Sequence, residues 1–172
     1  MKNSHNHYEA LLRLGNIPEK MIMTHGCENL AEFVLHELCH ESCIAFSKIA
    51  FFVDNPDFNC FKGIAGISHN ERFTQSDAWN NVTDFSEHMR NALFNQSIRS
   101  IARESVIRTG SQWEQCANNL GETITVENPG WFMFSAKHGN TGLLVFTPNT
   151  LNDHTRMTLA AGSSLLGLCP VF

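Results

Sequence analysis

Positive charge is scarce in this chain, and charge of either sign is not abundant. Asp, Glu, Lys and Arg make up 17% of the 172 residues, with 12 Lys and Arg against 17 Asp and Glu and a net charge of −5. A chain that gathers phosphates needs the opposite imbalance, so nucleic acid is excluded as a main ligand. A disordered chain needs more charge and less apolar material than the 42% hydrophobic residues present here. No long hydrophobic run occurs: Lys48 and Asp54 bracket the longest candidate, 49–53, far short of the roughly 18 residues that span a bilayer. No membrane association is expected. The polar, His-rich start, including His5 and His7, has neither the apolar stretch of a secretory leader nor the Arg-rich face of a transit peptide. The six cysteines form no Cys-x-x-Cys pair, and a chain of this length needs no disulfide staples, so reduced thiols and a cytoplasmic location are expected. Gly-x-Ser-x-Gly, Walker-type and Gly-x-Gly-x-x-Gly patterns are all missing, which leaves acyl transfer and nucleotide hydrolysis without support. One Tyr stands against 13 Phe, a set suited to a thick dry core rather than to hydrogen-bonding catalysis.

What is present fits one domain. A short amphipathic helix is predicted over 7–14, ended by Gly15-Asn16 with Pro18 just beyond. His25, beside Gly26, reads as a loop residue. From 30 to 43 the chain lacks Gly and Pro and places apolar residues at 30, 31, 34, 35 and 38, the spacing of one helical face. Residues 46–53 are β-branched and aromatic on both parities, as in a strand buried on both sides. A turn over 54–57 leads to a second strand over 61–68, in which Gly63 and Gly66 mark a bulge or a close backbone approach. A polar connection over 69–83 precedes a helix over 87–108, broken near Asn95. A polar stretch through Trp113 and Cys116 leads to three short strands, 123–126, 131–137 and 142–147. Pro148 stops them, and Asn152 or Asp153 caps a last helix over 155–168. The chain stops directly after that helix, as a piece excised from a longer protein would.

The stretch 29–67, a helix followed by "AFSKIAFFVDNPDFNCFKGIAGIS", gives a strand ending in Asp, a turn and a second strand. "SIARESVIRTGSQW" supplies a mid-chain helix and a Thr-Gly turn, and "FMFSAKHGNTGLLVFTPNTLNDHTRMTLAAGSSLLGL" a closing strand pair and helix. Together these segments resemble the GAF domains, sensory modules of bacterial signalling proteins. The resemblance implies an α+β, GAF/PAS-like fold over 28–169, with an N-terminal helical extension over 1–27. Its antiparallel sheet would have five or six strands, with the N- and C-terminal helices on one face and helical or loop connections on the other. It implies a non-enzymatic regulatory domain that binds an unidentified small molecule and relays the signal through its terminal helices to an output domain or partner protein. A homodimer paired through those helices is expected, and the small residues Gly162, Ser163 and Ser164 would permit close helix approach. The Asn-Lys, Phe, Asp-Glu pattern of cyclic-nucleotide GAF domains and the cysteine cluster of GAF-type methionine sulfoxide reductases are absent, so neither activity is implied. No cofactor is indicated.

One motif points elsewhere. His36-Glu37-Leu38-Cys39-His40 satisfies His-Glu-x-x-His, which on a helix sets two imidazoles toward a zinc ion with the Glu as general base. Phe46 stands where the longer form of that motif has its third His, Glu41 follows the second His, and Glu71 lies beyond two predicted strands. The apolar face of the helix is centred opposite His36, His40 and Cys43, so these three are expected toward solvent or a partner, where they could hold a metal ion. A small zinc hydrolase is therefore one alternative, and a ligand-free dimerisation module is another. The ligand-binding residues expected for the sensory reading are His69, Arg72, Trp79 and His88, with Glu71 among them, on the polar connection and the following helix, and Trp113 closing the same pocket. No catalytic residue and no metal ligand is assigned under that reading.

Overall fold

The computed structural model describes residues 2–24, 26–147 and 150–170, with side chains from Tyr8 onward. The readings of His25 as a loop and of Pro148 as a strand stop lie outside the described residues, as do those of the His5 and His7 side chains. The chain is α+β, with a five-stranded antiparallel sheet in the order β3-β2-β1-β5-β4.

The sheet is organised by β1 (Lys48–Asn55), whose apolar residues occupy both parities. Ile49, Phe51 and Val53 face one core, and Ala50 and Phe52 face the other. β1 pairs with β2 (Cys60–Ser68) on one side and β5 (Thr141–Thr147) on the other. β4 (Gly130–Ser135) extends the sheet beyond β5, and the short β3 (Ala102–Arg103) lies at the other edge.

One face is covered by α1 (Lys2–Met23), α2 (Leu30–Leu38), α3 (Val82–Asn91) and α7 (Asp153–Leu166). Ile17, Phe33, Leu38, Phe85 and Leu159 from these helices share a core with Phe51 and Phe146. The other face is covered by α4 (Leu93–Arg99), α5 (Val106–Thr109) and α6 (Trp113–Thr123), with Ile98, Val106, Ala117 and Leu120 packed on Phe52 and Leu143. Among the described residues, no helix is long and apolar enough to cross a membrane.

Both expectations for the β2 glycines hold. The register slips between Phe51 and Phe52, whose partners are Ala65 and Gly63, so Ile64 is the extra residue of a bulge. A Cβ on Gly63 would lie 1.9 Å from the Ile98 carbonyl oxygen, so α4 crosses β2 at backbone distance.

Several expected boundaries are corrected. α1 runs for 22 residues through Gly15, Asn16 and Pro18, because buried Leu14 and Ile17 hold it to the core on either side of the breakers. α2 ends at Leu38, not at Cys43. The helix over 87–108, expected to break near Asn95, breaks at Ala92, where ψ of 119° leaves helical space, and it ends at Arg99 before β3. Residues 123–126 form no strand: Ile124 caps α6, Thr125 has φ of 55°, and the Val126 N–H donates to the Gly121 carbonyl. The polar stretch before them is α6, which buries only Ala117, Leu120 and Gly121. α7 begins as expected, with the Asn152 side chain accepting from the Thr155 N–H at 2.8 Å.

Candidate functional site

The connection after β2 enters the core with its aromatic side chains. A 3-10 turn over His69–Glu71 leads to Phe73, Ala78 and Trp79, all part of the first core. Trp79 is 8% exposed, its ring lies 4.7 Å from that of Phe33, and its Nε1–H donates to Glu37 Oε1 at 2.8 Å. The other Glu37 oxygen accepts from Arg13 at 2.8 Å, and the Lys20 ammonium is 3.6 Å away. The carboxylate is 5% exposed, and it joins α2, α1 and the connection at one point.

The remaining expected residues divide between the two layers. His88 donates from Nε2 to the Glu71 carbonyl at 2.6 Å and packs edge-on against Phe73 at 5.5 Å. These residues border an open surface groove of about 570 Å³. The Glu71 carboxylate accepts the backbone N–H of Phe94 at 2.9 Å and of Leu93 at 3.2 Å, capping the start of α4. Arg72 is half-buried, and its charge acts on His36, Cys39 and His40, while its buried Nε has no hydrogen-bond partner. His69 is exposed. Trp113 does not close this site, because it opens α6 on the opposite face and packs on the second core. Arg72, Trp79 and His88 are thus brought to the face covered by α1, α2, α3 and α7, His69 stays at the surface, and Trp113 lies on the other face.

The His-Glu-x-x-His segment is also not arranged as expected. α2 ends before His40, so the two imidazoles do not share a continuous helical face. His36 is covered rather than solvent-facing. Its Nε2–H donates to the Phe73 carbonyl at 3.0 Å, and its ring lies 5.2 Å from Phe85. Burial lowers the pKa of His36, against a smaller raising effect of the Phe73 hydrogen bond. Burial also lowers that of His40, whose Nδ1 is bonded to the Ser42 hydroxyl at 2.8 Å. Cys43 is 6% exposed, and burial pushes its thiol up to about 11. Cys39 and Cys169 are pushed up to about 12 by the same cause, which leaves these thiols protonated and unreactive. Among the described residues, no group of three or more His, Cys, Asp or Glu is placed to hold a metal ion.

Two further polar clusters went unnoticed in the sequence. Asn95, 1% exposed, donates to Glu32 Oε1 and to the Met89 carbonyl, and accepts from the Gly66 N–H. Arg99 completes that cluster at 3.1 Å from Glu32, whose pKa is raised by burial. Asp54, fully buried, accepts from the Ser105 hydroxyl and the Val106 N–H, both at 2.9 Å. These groups satisfy one another inside the fold and pin α4 and α5 to the sheet.

A cavity of about 500 Å³ opens at the end of the sheet, where the β1–β2 turn, the β4–β5 turn and the segment after α7 meet. Val53 and Cys169 are its most buried lining residues, while Phe58, 82% exposed, stands at its mouth. Lys62, Lys137 and His138 also line it, and no Asp or Glu does. No local pattern announces this site, since its residues come from three distant stretches. The one available signal was an aromatic placed in a turn, Phe58.

Compared with protein-family models, with curated proteins and with solved structures, the chain matches none, so a functional reading rests on its own geometry.

Proposed function

We propose that this chain is a non-enzymatic regulatory module of GAF type that works as a homodimer paired through the outward face of α1 and α7. The observation that carries the reading is the double-sided character of α1. Ala10, Leu14 and Ile17 are buried against the core, yet on the opposite side Tyr8 is 62%, Leu11 53%, Leu12 49% and Ile22 72% exposed. A helix apolar on both sides is covered here on one side only. Of the expected seam residues on α7 only Ser164 faces outward, since Gly162 packs on Leu38 and Ser163 is buried, but Met157, Ala160 and Ala161 join Ser164 on the exposed face and leave room for another helix.

The layer order supports the same reading: the terminal helices share one face, joined there by α3, the connecting helices α4, α5 and α6 cover the other, and the first and last strands pair at the centre. The zinc-hydrolase reading would need His36, Glu37 and His40 free to share one site, whereas His36 and Glu37 are bonded within the fold and His40 lies beyond the end of α2. Glu37 also offers a path for a signal. Trp79 from the connection and Arg13 and Lys20 from α1 meet on its carboxylate, so a rearrangement of the connection bears directly on the pairing helix.

Sedimentation across the micromolar range tests the pairing. A dimer is expected for the native chain and a folded monomer for the double variant Leu11→Lys, Ile22→Lys. A native chain that stays monomeric throughout, or a variant that stays dimeric, would rule this surface out.

A further inference from the structure

The cavity at the end of the sheet is lined mainly by apolar and basic side chains, with no acid among them. We infer that it binds an amphiphilic anion, an apolar body carrying one carboxylate or similar group, with the charge held by Lys62 and Lys137.

Three observations converge on this ligand class. The volume of about 500 Å³ and the mainly apolar lining suit a small organic molecule. Val53, Phe58, Cys60 and Pro170 would contact its apolar body. The charges are one-sided: in a chain of net charge −5, this cavity has two Lys and one His and no acid among its lining residues.

Those lysines are also unengaged. Arg13 and Lys20 are paired with buried Glu37, and Arg99 with buried Glu32. Among the described residues, neither the Lys62 nor the Lys137 ammonium has an ion pair or a hydrogen bond. An unpaired ammonium beside an apolar wall gains most from an anion that also fills the wall, because the ligand then shields the ion pair from water.

Both lysines line the same cavity. Lys62 is the sheet partner of Val53, so the two side chains project to the same face of the β1–β2 ladder. Lys137 comes from the β4–β5 turn, and its charge acts on the Cys169 thiol together with that of Glu32, which lies in a neighbouring pocket shared with Lys62 and Pro170. His138 follows with φ of 60°, a left-handed conformation that a following Gly139 at φ of 73° continues through the turn. The cavity wall includes Cys169 and Pro170, immediately beyond α7, so an occupant touches the chain where it leaves the pairing helix.

The experiment is isothermal titration of the full chain with decanoate, below its micelle concentration, and with two probes of the same chain length, decanol and decyltrimethylammonium. One decanoate per chain is expected, at least tenfold tighter than decanol, with the cation weakest. Lys62→Ala with Lys137→Ala should bring decanoate to the affinity of decanol and leave decanol unchanged. Cys60→Trp, which fills the cavity from a half-exposed position, should abolish both. Circular dichroism melts establish that each variant is folded. Decanol binding as tightly as decanoate would overturn the anionic class while leaving an apolar site. Failure of every probe, or decanoate binding that survives Cys60→Trp, would overturn the site itself. None of these outcomes bears on the dimer, which sedimentation tests separately.

Discussion

Glu37 separates the two chemistries that its motif permits. A zinc hydrolase would keep its stability when Glu37 becomes Gln and lose only activity. In this fold the carboxylate holds Trp79, Arg13 and Lys20 together. Gln keeps an acceptor for the indole but removes the charge facing two cations that are each about one-third exposed and can turn toward water. Glu37→Gln should therefore cost about 1–2 kcal/mol, below the value for a fully buried pair. Glu37→Ala, which also strands the indole N–H, should cost about 3 kcal/mol. Urea denaturation followed by tryptophan fluorescence measures both, and an unchanged midpoint for Glu37→Gln would remove its structural role. His36 gives a prediction in pH. Its folded pKa is lowered from 6.5, so between that lowered value and 6.5 the unfolded chain binds more protons and stability rises with pH. His40 acts in the same direction, whereas Glu32, raised above 4.5, acts in the opposite one. The His36 contribution is isolated by the difference between the native chain and His36→Gln. The native chain should lose more stability than the variant as pH falls from about 7.5 to 5.5, and parallel curves would show that His36 does not titrate differently on folding.

Among the elements, the strands of the central pair were the most legible, because β1 and β2 carry their burial pattern in consecutive residues. The helices were less so. Gly15, Asn16 and Pro18 are local stop signals that α1 overrides through the burial of Leu14 and Ile17, a tertiary effect no local rule contains. The opposite error arose at 123–126, where β-branched residues suggest a strand but Ile124 and Val126 serve the second core from a helix end and a turn. Trp79 misleads for a similar reason: a connection bearing Trp79 and His88 looks like a lid, yet the indole is core and only Glu71 and His88 of the expected residues border the surface groove. Two glycines test these elements. Gly15 is absent from the positive-φ residues and has open space around its Cα, so Gly15→Ala should stabilise the chain by about 0.5–1 kcal/mol if α1 is continuous. A helix ending there in a left-handed glycine would instead be destabilised by a similar amount. Gly63→Ala drives a methyl group into the backbone of Ile98, where no side chain can yield, and should cost about 3 kcal/mol. Thermal melts of the two variants should therefore shift in opposite directions.

At the scale of the molecule, the sequence suggested a division at residue 27 between an appended helix and a self-sufficient domain, and the packing argues against that division. Ala10 and Ile17 are fully buried, and Leu14 is 6% exposed. Arg13 and Lys20 supply the cations that balance Glu37. A chain beginning at Glu28 would uncover this part of the first core and leave a buried carboxylate with only the Trp79 indole as partner. Burial of a large aliphatic side chain is worth about 1.5–3 kcal/mol, so losing Leu14 and Ile17 alone removes about 3–6 kcal/mol from a total that for most domains is about 5–15 kcal/mol. The shortened chain should retain helix and strand signals in far-ultraviolet circular dichroism but lose its cooperative melt and bind a hydrophobic dye. Because α1 also carries the proposed pairing face, the comparison is made against the monomeric Leu11→Lys, Ile22→Lys variant, so that loss of the dimer is already discounted. If the shortened chain melts cooperatively at the temperature of that variant, α1 is an appendage and its inward face is dispensable. If it does not, the helix proposed to pair two copies is also the helix that completes each core, and a signal reaching Glu37 would act on stability and on the proposed assembly together.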